Sequence, residues 1–70
     1  MDFDNDHFDS INDKRVEIQV QYSSGLWQSV RHVDYVNTQY ITRQMEFVKH
    51  AHPKSRVRAV HNGITIDILP

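Results

Sequence analysis

The aspartates near the start of the chain are the first residues whose spacing suggests chemistry. Alternate aspartates beginning at Asp2 match the first three ligand positions of an EF-hand calcium loop, and Asp13 falls at the twelfth. His7, however, occupies the position where the sharp turn of that loop requires glycine, and Asp13 is shorter than the usual bidentate glutamate. We therefore interpret residues 1–13 as an acidic, flexible tail and predict no metal site there.

Histidine is the other metal-ligand type that the chain offers, with five copies. A zinc site needs three or four ligands that converge tetrahedrally. His50 and His52 are two residues apart, and on a helix this spacing separates them by about 200° around the axis. We expect ordinary surface and helix-end histidines, and we predict no metal and no cofactor. A small-ligand or metal binder that uses histidines is the least favoured function.

Motifs for enzymatic catalysis are missing from the sequence. It contains no glycine-rich phosphate loop, no G-x-S-x-G, no H-E-x-x-H and no cysteine to act as a thiol nucleophile. A hydrolytic triad also needs a cleft and an oxyanion hole, which one helix on a thin sheet barely encloses. We expect no enzymatic activity and name no catalytic residue.

Arginines and the single tryptophan form the most informative set. If Val57 faces a core, Arg56 and Arg58 project together from the opposite, outer face of a strand. Arg31 and Trp27 are predicted to lie on that same face. We take these four residues, Trp27, Arg31, Arg56 and Arg58, as candidate partner-binding residues, because Trp and Arg are enriched among interface hot spots. The same residue types can also stack on bases and contact phosphates of single-stranded nucleic acid.

A first hairpin must position Trp27 and Arg31. From Arg15 the sequence alternates polar and apolar residues with period two, which predicts a half-buried strand. Ser23-Ser24-Gly25 then supplies a turn, and a second strand is predicted from about residue 26 to residue 33.

The length of this turn determines where Trp27 lies. A three-residue loop pairs Tyr22 with Leu26, sets Glu17 opposite Arg31 and leaves Trp27 on the outer face. A four-residue loop pairs Tyr22 with Trp27 and turns the indole towards the core. We prefer the three-residue loop because it pairs opposite charges across the strands.

A helix is predicted next, capped by Asn37 or Thr38 and ended by Pro53. Its apolar residues share one stripe, with Phe47 at the edge, and its charged residues lie opposite. The stripe contains Tyr40, Ile41, Met45, Val48 and Ala51, and the opposite side carries Arg43, Glu46, Lys49 and His50.

A second hairpin is predicted around Asn62-Gly63, a strong two-residue turn signal between alternating apolar residues. The expected cross-strand pairs are His61 with Ile64, Ala59 with Ile66, Val57 with Ile68, and Arg58 with Asp67. This register places an apolar row on one face and the charged pair of Arg58 and Asp67 on the other.

The element order β-β-α-β-β predicts an α+β fold in which two antiparallel hairpins pack on one helix as two layers. We assign residues 14–70 to this single domain. The strand order stays open, as does completion of the sheet by a second chain. The tail holds five aspartates and no Lys or Arg, whereas the domain holds all eight Lys and Arg against four acidic residues.

The segment from Arg56 to Ile68, which follows a helix and a tryptophan-containing hairpin, resembles a layout found in small uncharacterised bacterial and phage proteins. The resemblance extends over roughly residues 15–69. It implies a bacterial or phage accessory protein and carries over no activity and no functional residue.

These observations favour a non-enzymatic protein-interaction module, an accessory or inhibitory protein that acts through its outer sheet face or a sheet edge. The partner is expected to be another protein or a second copy of the chain in a homodimer. The alternative is a nucleic-acid-binding domain, against which the sequence pI of about 6.5 counts. With no signal-like or membrane-spanning segment, we expect a cytoplasmic protein without a membrane partner.

Overall fold

The computed structural model describes residues 15–70, so the predicted acidic tail over residues 1–13 lies outside the described residues. Four strands and one helix follow one another in the predicted ββαββ order, which confirms the α+β fold. The elements are β1 (Arg15–Gln21), β2 (Trp27–Asp34), α1 (Thr38–Ala51), β3 (Val57–His61) and β4 (Ile64–Leu69).

The four strands form one antiparallel sheet in the order β2-β1-β3-β4. The first strand of each hairpin is therefore central, and the second strand of each lies at an edge. The alternating apolar residues of β1 are fully buried, as expected for a central strand. They are Val16, Ile18 and Val20. Helix α1 packs against one face of this sheet, mainly on β3, β1 and β4.

The first turn has the three residues that we preferred. The Tyr22 N–H donates to the Leu26 carbonyl at 2.9 Å, and the Gly25 N–H donates to the Tyr22 carbonyl at 2.8 Å. Gly25 has φ of +92°, a left-handed conformation that glycine adopts without steric cost. Trp27 then pairs with Gln21, which places the indole on the outer face as predicted.

The predicted register of the first hairpin holds from the turn to the pair of Gln19 with Ser29 and is wrong from Ile18 onward. A β-bulge at Val30 shifts the pairing by one residue, so Ile18 lies opposite Arg31 and Glu17 lies opposite His32. The predicted pair of Glu17 with Arg31 does not form. Arg31 instead shares the helix-facing side of the sheet with Ile18, because a bulge places an extra residue on one strand and reverses the alternation after it.

The second hairpin also has the predicted turn followed by a bulge that shifts its register. Asn62 and Gly63 have φ of +53° and +77°, as a type I′ turn requires, and the predicted pair of His61 with Ile64 is confirmed. A bulge at Ile66 then shifts the register, and the other three predicted pairs are wrong. The observed pairs are Ala59 with Asp67, Arg58 with Ile68 and Val57 with Leu69.

Helix α1 begins at the predicted cap. The Asn37 side chain accepts a hydrogen bond from the Tyr40 N–H at 2.8 Å, and the helix ends two residues before Pro53. Among residues 15–70, no helix is long and apolar enough to cross a membrane.

The helix contributes three buried residues to the core, and the rest come from the helix-facing sides of β1 and β3. The cluster contains Ile41, Met45 and Val48 from α1, with Val16, Ile18, Val20, Val57 and Ala59 from the sheet. Of the predicted stripe, Tyr40 is partly buried, whereas Ala51 is exposed, as is Phe47 at its edge.

Candidate partner-binding face

The outer face of the sheet is the side turned away from α1. Within the described residues no other element packs on it. Because β1 alternates strictly, its polar residues Glu17, Gln19 and Gln21 lie on this face while its valines and isoleucine face the helix. Their neighbours on β2 and β3 include Trp27 opposite Gln21 and Arg58 opposite Gln19.

Trp27 and Arg58 meet on this face although strand β1 lies between their strands in the sheet. The Arg58 guanidinium lies 4.2 Å from the centroid of the Trp27 ring, within the range of a cation–π interaction. The Arg58 Nε–H donates to Gln19 Oε1 at 2.7 Å, which fixes the direction in which the side chain crosses β1. Both side chains are half-buried, so they keep one side open to a partner.

The hydrogen bond to Arg58 continues into a polar network. Gln19 accepts from Arg58 through its carbonyl oxygen and donates through Nε2 to Glu17 Oε1 at 3.0 Å. Ser29 donates its hydroxyl to the same carboxylate oxygen. The network therefore joins β2, β1 and β3, and it places one carboxylate beside one guanidinium.

The Glu17 carboxylate is stabilised in its charged form. The hydrogen bond from Ser29 lowers the Glu17 pKa most, and the hydrogen bond from Gln19 lowers it further. Electrostatic interactions with His32 and Arg58 lower the Glu17 pKa as well, and partial desolvation opposes these effects. Glu17 is thus ionised at neutral pH, and the face presents adjacent opposite charges.

Apolar side chains flank this polar centre, one of them buried and one exposed. Val60 pairs with Glu17 and is only 8% exposed although it lies on the side of the sheet away from the helix. Ile68 pairs with Arg58 on the edge strand β4 and stays exposed. Tryptophan and arginine are among the residue types enriched in protein interfaces.

Two of the four predicted site residues do not join this pair. Arg31 lies on the opposite, helix-facing side of the sheet, where its Nη1 donates to Gln44 Oε1 at 2.9 Å. Arg56 is exposed just before β3, and its carbonyl accepts from the Gln21 N–H at 3.0 Å. The prediction that all four residues share one face therefore fails for Arg31, because the bulge at Val30 was not foreseen.

A second pair of arginine and aromatic residue was missed by sequence reasoning. The Arg31 guanidinium lies 4.7 Å from the centroid of the Phe47 ring on α1. The available signals were the position of Phe47 at the edge of the apolar stripe and the spacing of Val30 and Val33, three residues apart in one strand. Within residues 15–70, no three metal-ligand side chains are grouped to hold an ion.

No protein-family model matches the chain, and neither the curated proteins nor the solved structures contain a significant match to it.

Proposed function

We propose that this domain is a non-enzymatic protein-interaction module that binds another protein through the outer face of its sheet. The contact centres on Trp27 and Arg58, and the chain acts as a small accessory or inhibitory protein. The observation that carries the proposal is the Arg58 guanidinium stacked on Trp27, on a sheet face that no described element covers.

Preorganisation supports this assignment. A flexible arginine loses rotamer entropy when a partner immobilises it, at a cost of about 0.5–1.5 kcal/mol per side chain. Arg58 is already held by the Trp27 ring and by Gln19, so much of that cost is met in the free protein. Glu17 beside Arg58 adds a fixed acceptor, and adjacent opposite charges favour a partner with a complementary pair.

The face is a better docking surface than the edges of the sheet. Both edge strands carry a bulge, at Val30 in β2 and at Ile66 in β4. Bulges twist an edge and interrupt the regular row of backbone groups that strand addition needs. We therefore assign binding to the outer face and not to strand pairing at β2 or β4.

A nucleic-acid partner is the alternative, since Trp27 and Arg58 could stack on a base and contact a phosphate. The ionised Glu17 carboxylate beside them opposes that use, because it repels phosphate. The two partners differ in salt dependence. A single-stranded oligonucleotide would change Trp27 fluorescence and lose affinity steeply with added salt, whereas no response at low salt excludes it.

The test is quantitative co-purification from the native host with the full chain, followed by identification of the bound protein. We expect the double variant Trp27→Ala with Arg58→Ala to lose that protein. The matched control Arg43→Ala, an exposed arginine on α1, should retain it. Sedimentation of the purified chain decides whether the partner is a second copy. Equal recovery with both variants would contradict the assignment.

A further inference from the structure

A second surface lies on the other side of the sheet, between α1 and the edge strand β2. Because the helix packs mainly on β3, β1 and β4, it leaves the helix-facing side of β2 partly open. A groove of about 160 Å³ results there. It is lined by Val30, Arg31, Phe47, Val48, Ala51 and His52.

The groove combines exposed apolar surface with a held cation. Phe47 is 61% exposed and Val30 is 41% exposed, so neither is part of the core. Arg31 lies over the Phe47 ring at 4.7 Å and donates one hydrogen bond to Gln44. Since a guanidinium has five N–H donors, most of those on Arg31 stay available to an anion.

The charges of the side chains that line the groove indicate which kind of ligand it would bind. Arg31 and His52 line the groove, and no carboxylate does. A planar guanidinium held in place binds a carboxylate through two parallel hydrogen bonds, which are stronger than neutral ones. The Phe47 ring and Val30 beside it offer contact for an apolar side chain.

We propose that this groove binds an acidic peptide segment of a partner protein, with a carboxylate on Arg31 and a neighbouring apolar side chain against Phe47 and Val30. The site is independent of the outer face. Trp27 and Arg58 lie across the sheet from it, so loss of one site leaves the other intact.

The probe is a short acetylated and amidated peptide in which leucine lies between two glutamates. It is titrated into the ¹⁵N-labelled full chain and followed by amide chemical shifts. We expect shifts at Val30, Arg31 and Phe47, with a dissociation constant on the order of 1 mM for so small a contact. A matched peptide with glutamine in place of glutamate should bind at least about tenfold more weakly.

Variants locate the contact. Arg31→Gln should weaken binding about tenfold, and Phe47→Ala should also weaken it, whereas Arg15→Gln, at an exposed position of β1 on the outer face of the sheet, should not. Arg31→Lys keeps the charge but loses the planar contact, so we expect intermediate affinity. The spectrum of each free variant shows whether it is folded.

Three results would overturn the proposal: equal binding of the glutamate and glutamine peptides, equal losses for Arg31→Gln and Arg15→Gln, or no groove shifts at about 10 mM peptide. Inorganic phosphate binding as tightly as the peptide would also overturn it, because the apolar contact would then contribute nothing. Trp27→Ala should leave peptide binding unchanged, which separates this result from the outcome for the outer face.

Discussion

At the scale of single residues, the outer face depends on how Gln19 is oriented. Its amide accepts from Arg58 and donates to Glu17, so one side chain fixes both charged groups. Ser29 completes the arrangement from β2 by donating to the same carboxylate. The Arg58 guanidinium and the Glu17 carboxylate are thus held on adjacent strands without pairing directly.

Removal of the Ser29 hydroxyl should raise the Glu17 pKa towards its ordinary value of 4.5, because the hydrogen bond from Ser29 is the main cause that lowers it. The measurement is a carboxyl ¹³C NMR titration of Ser29→Ala. Ser24→Ala is the control, since that hydroxyl accepts from the Leu26 N–H in the turn and is remote from Glu17. An unchanged pKa in Ser29→Ala would contradict this assignment.

The lowered Glu17 pKa also predicts a pH dependence of stability. The folded state holds the proton less tightly than the unfolded state does, so the stabilisation is present above pH 4.5 and is lost as the pH falls through the folded pKa. The free energy of unfolding of the wild-type chain, measured in urea, should therefore fall as the pH is lowered below about pH 4.5. Glu17→Gln should lose less stability over the same range. An equal loss in both proteins would assign the acid sensitivity elsewhere.

At the scale of elements, the two bulges determine which side chains share a face. The sequence held a signal for both. Val30 and Val33 are three residues apart, as are Ile66 and Leu69, and a regular strand cannot place both members of such a pair on one side. In the structure Val33 and Leu69 pack against the core, while Val30 and Ile66 also lie on the helix-facing side.

The predictable parts of the fold were those set by local chemistry. Turn residues, the Asn37 cap and the alternation of β1 all act within a few residues, so they predicted the elements correctly. The predictions made from cross-strand charge pairs were wrong, because an exposed pair such as Arg58 with Asp67 stabilises the hairpin too little to set its register. Burial of Leu69 against the core accounts better for the observed register of β4.

Deleting the bulge residue tests this view. Without Val30, the pairs Gln19 with Ser29 and Ile18 with Arg31 would follow one another in regular alternation, so every side chain keeps its face. We expect this deletion variant to unfold cooperatively in urea. Deleting Gln28 instead should destabilise the domain more, because a regular ladder would then turn Ser29 towards the helix and Val30 to the outer face, and the hydrogen bond from Ser29 to Glu17 would be lost. Similar midpoints for the two deletions would contradict the role of the bulge.

At the scale of the whole molecule, one small core holds the helix to the sheet. Met45 lies at its centre with no exposed surface, whereas Phe47 two residues later is largely exposed. Small domains have total stabilities of only about 5–15 kcal/mol, so a single core cavity consumes a large share.

Met45→Ala should therefore cost about 2–5 kcal/mol of unfolding free energy. Phe47→Ala removes a larger side chain from the same helix but should cost clearly less, because Phe47 buries little area. Urea denaturation followed by far-UV circular dichroism measures both. A larger cost for Phe47→Ala would mean that the groove side of α1 belongs to the core.

The position of a bound partner tests the central claim most directly. A photoreactive benzophenone side chain replaces Gln21, which neighbours Trp27 on the outer face, or Arg43, which is exposed on α1. Each full chain is irradiated in extracts of the native host. Our account predicts a protein cross-link from position 21 that disappears when Trp27 and Arg58 are changed to alanine, with no such product from position 43. No cross-linked protein from position 21, or one that forms regardless of those alanines, would contradict it.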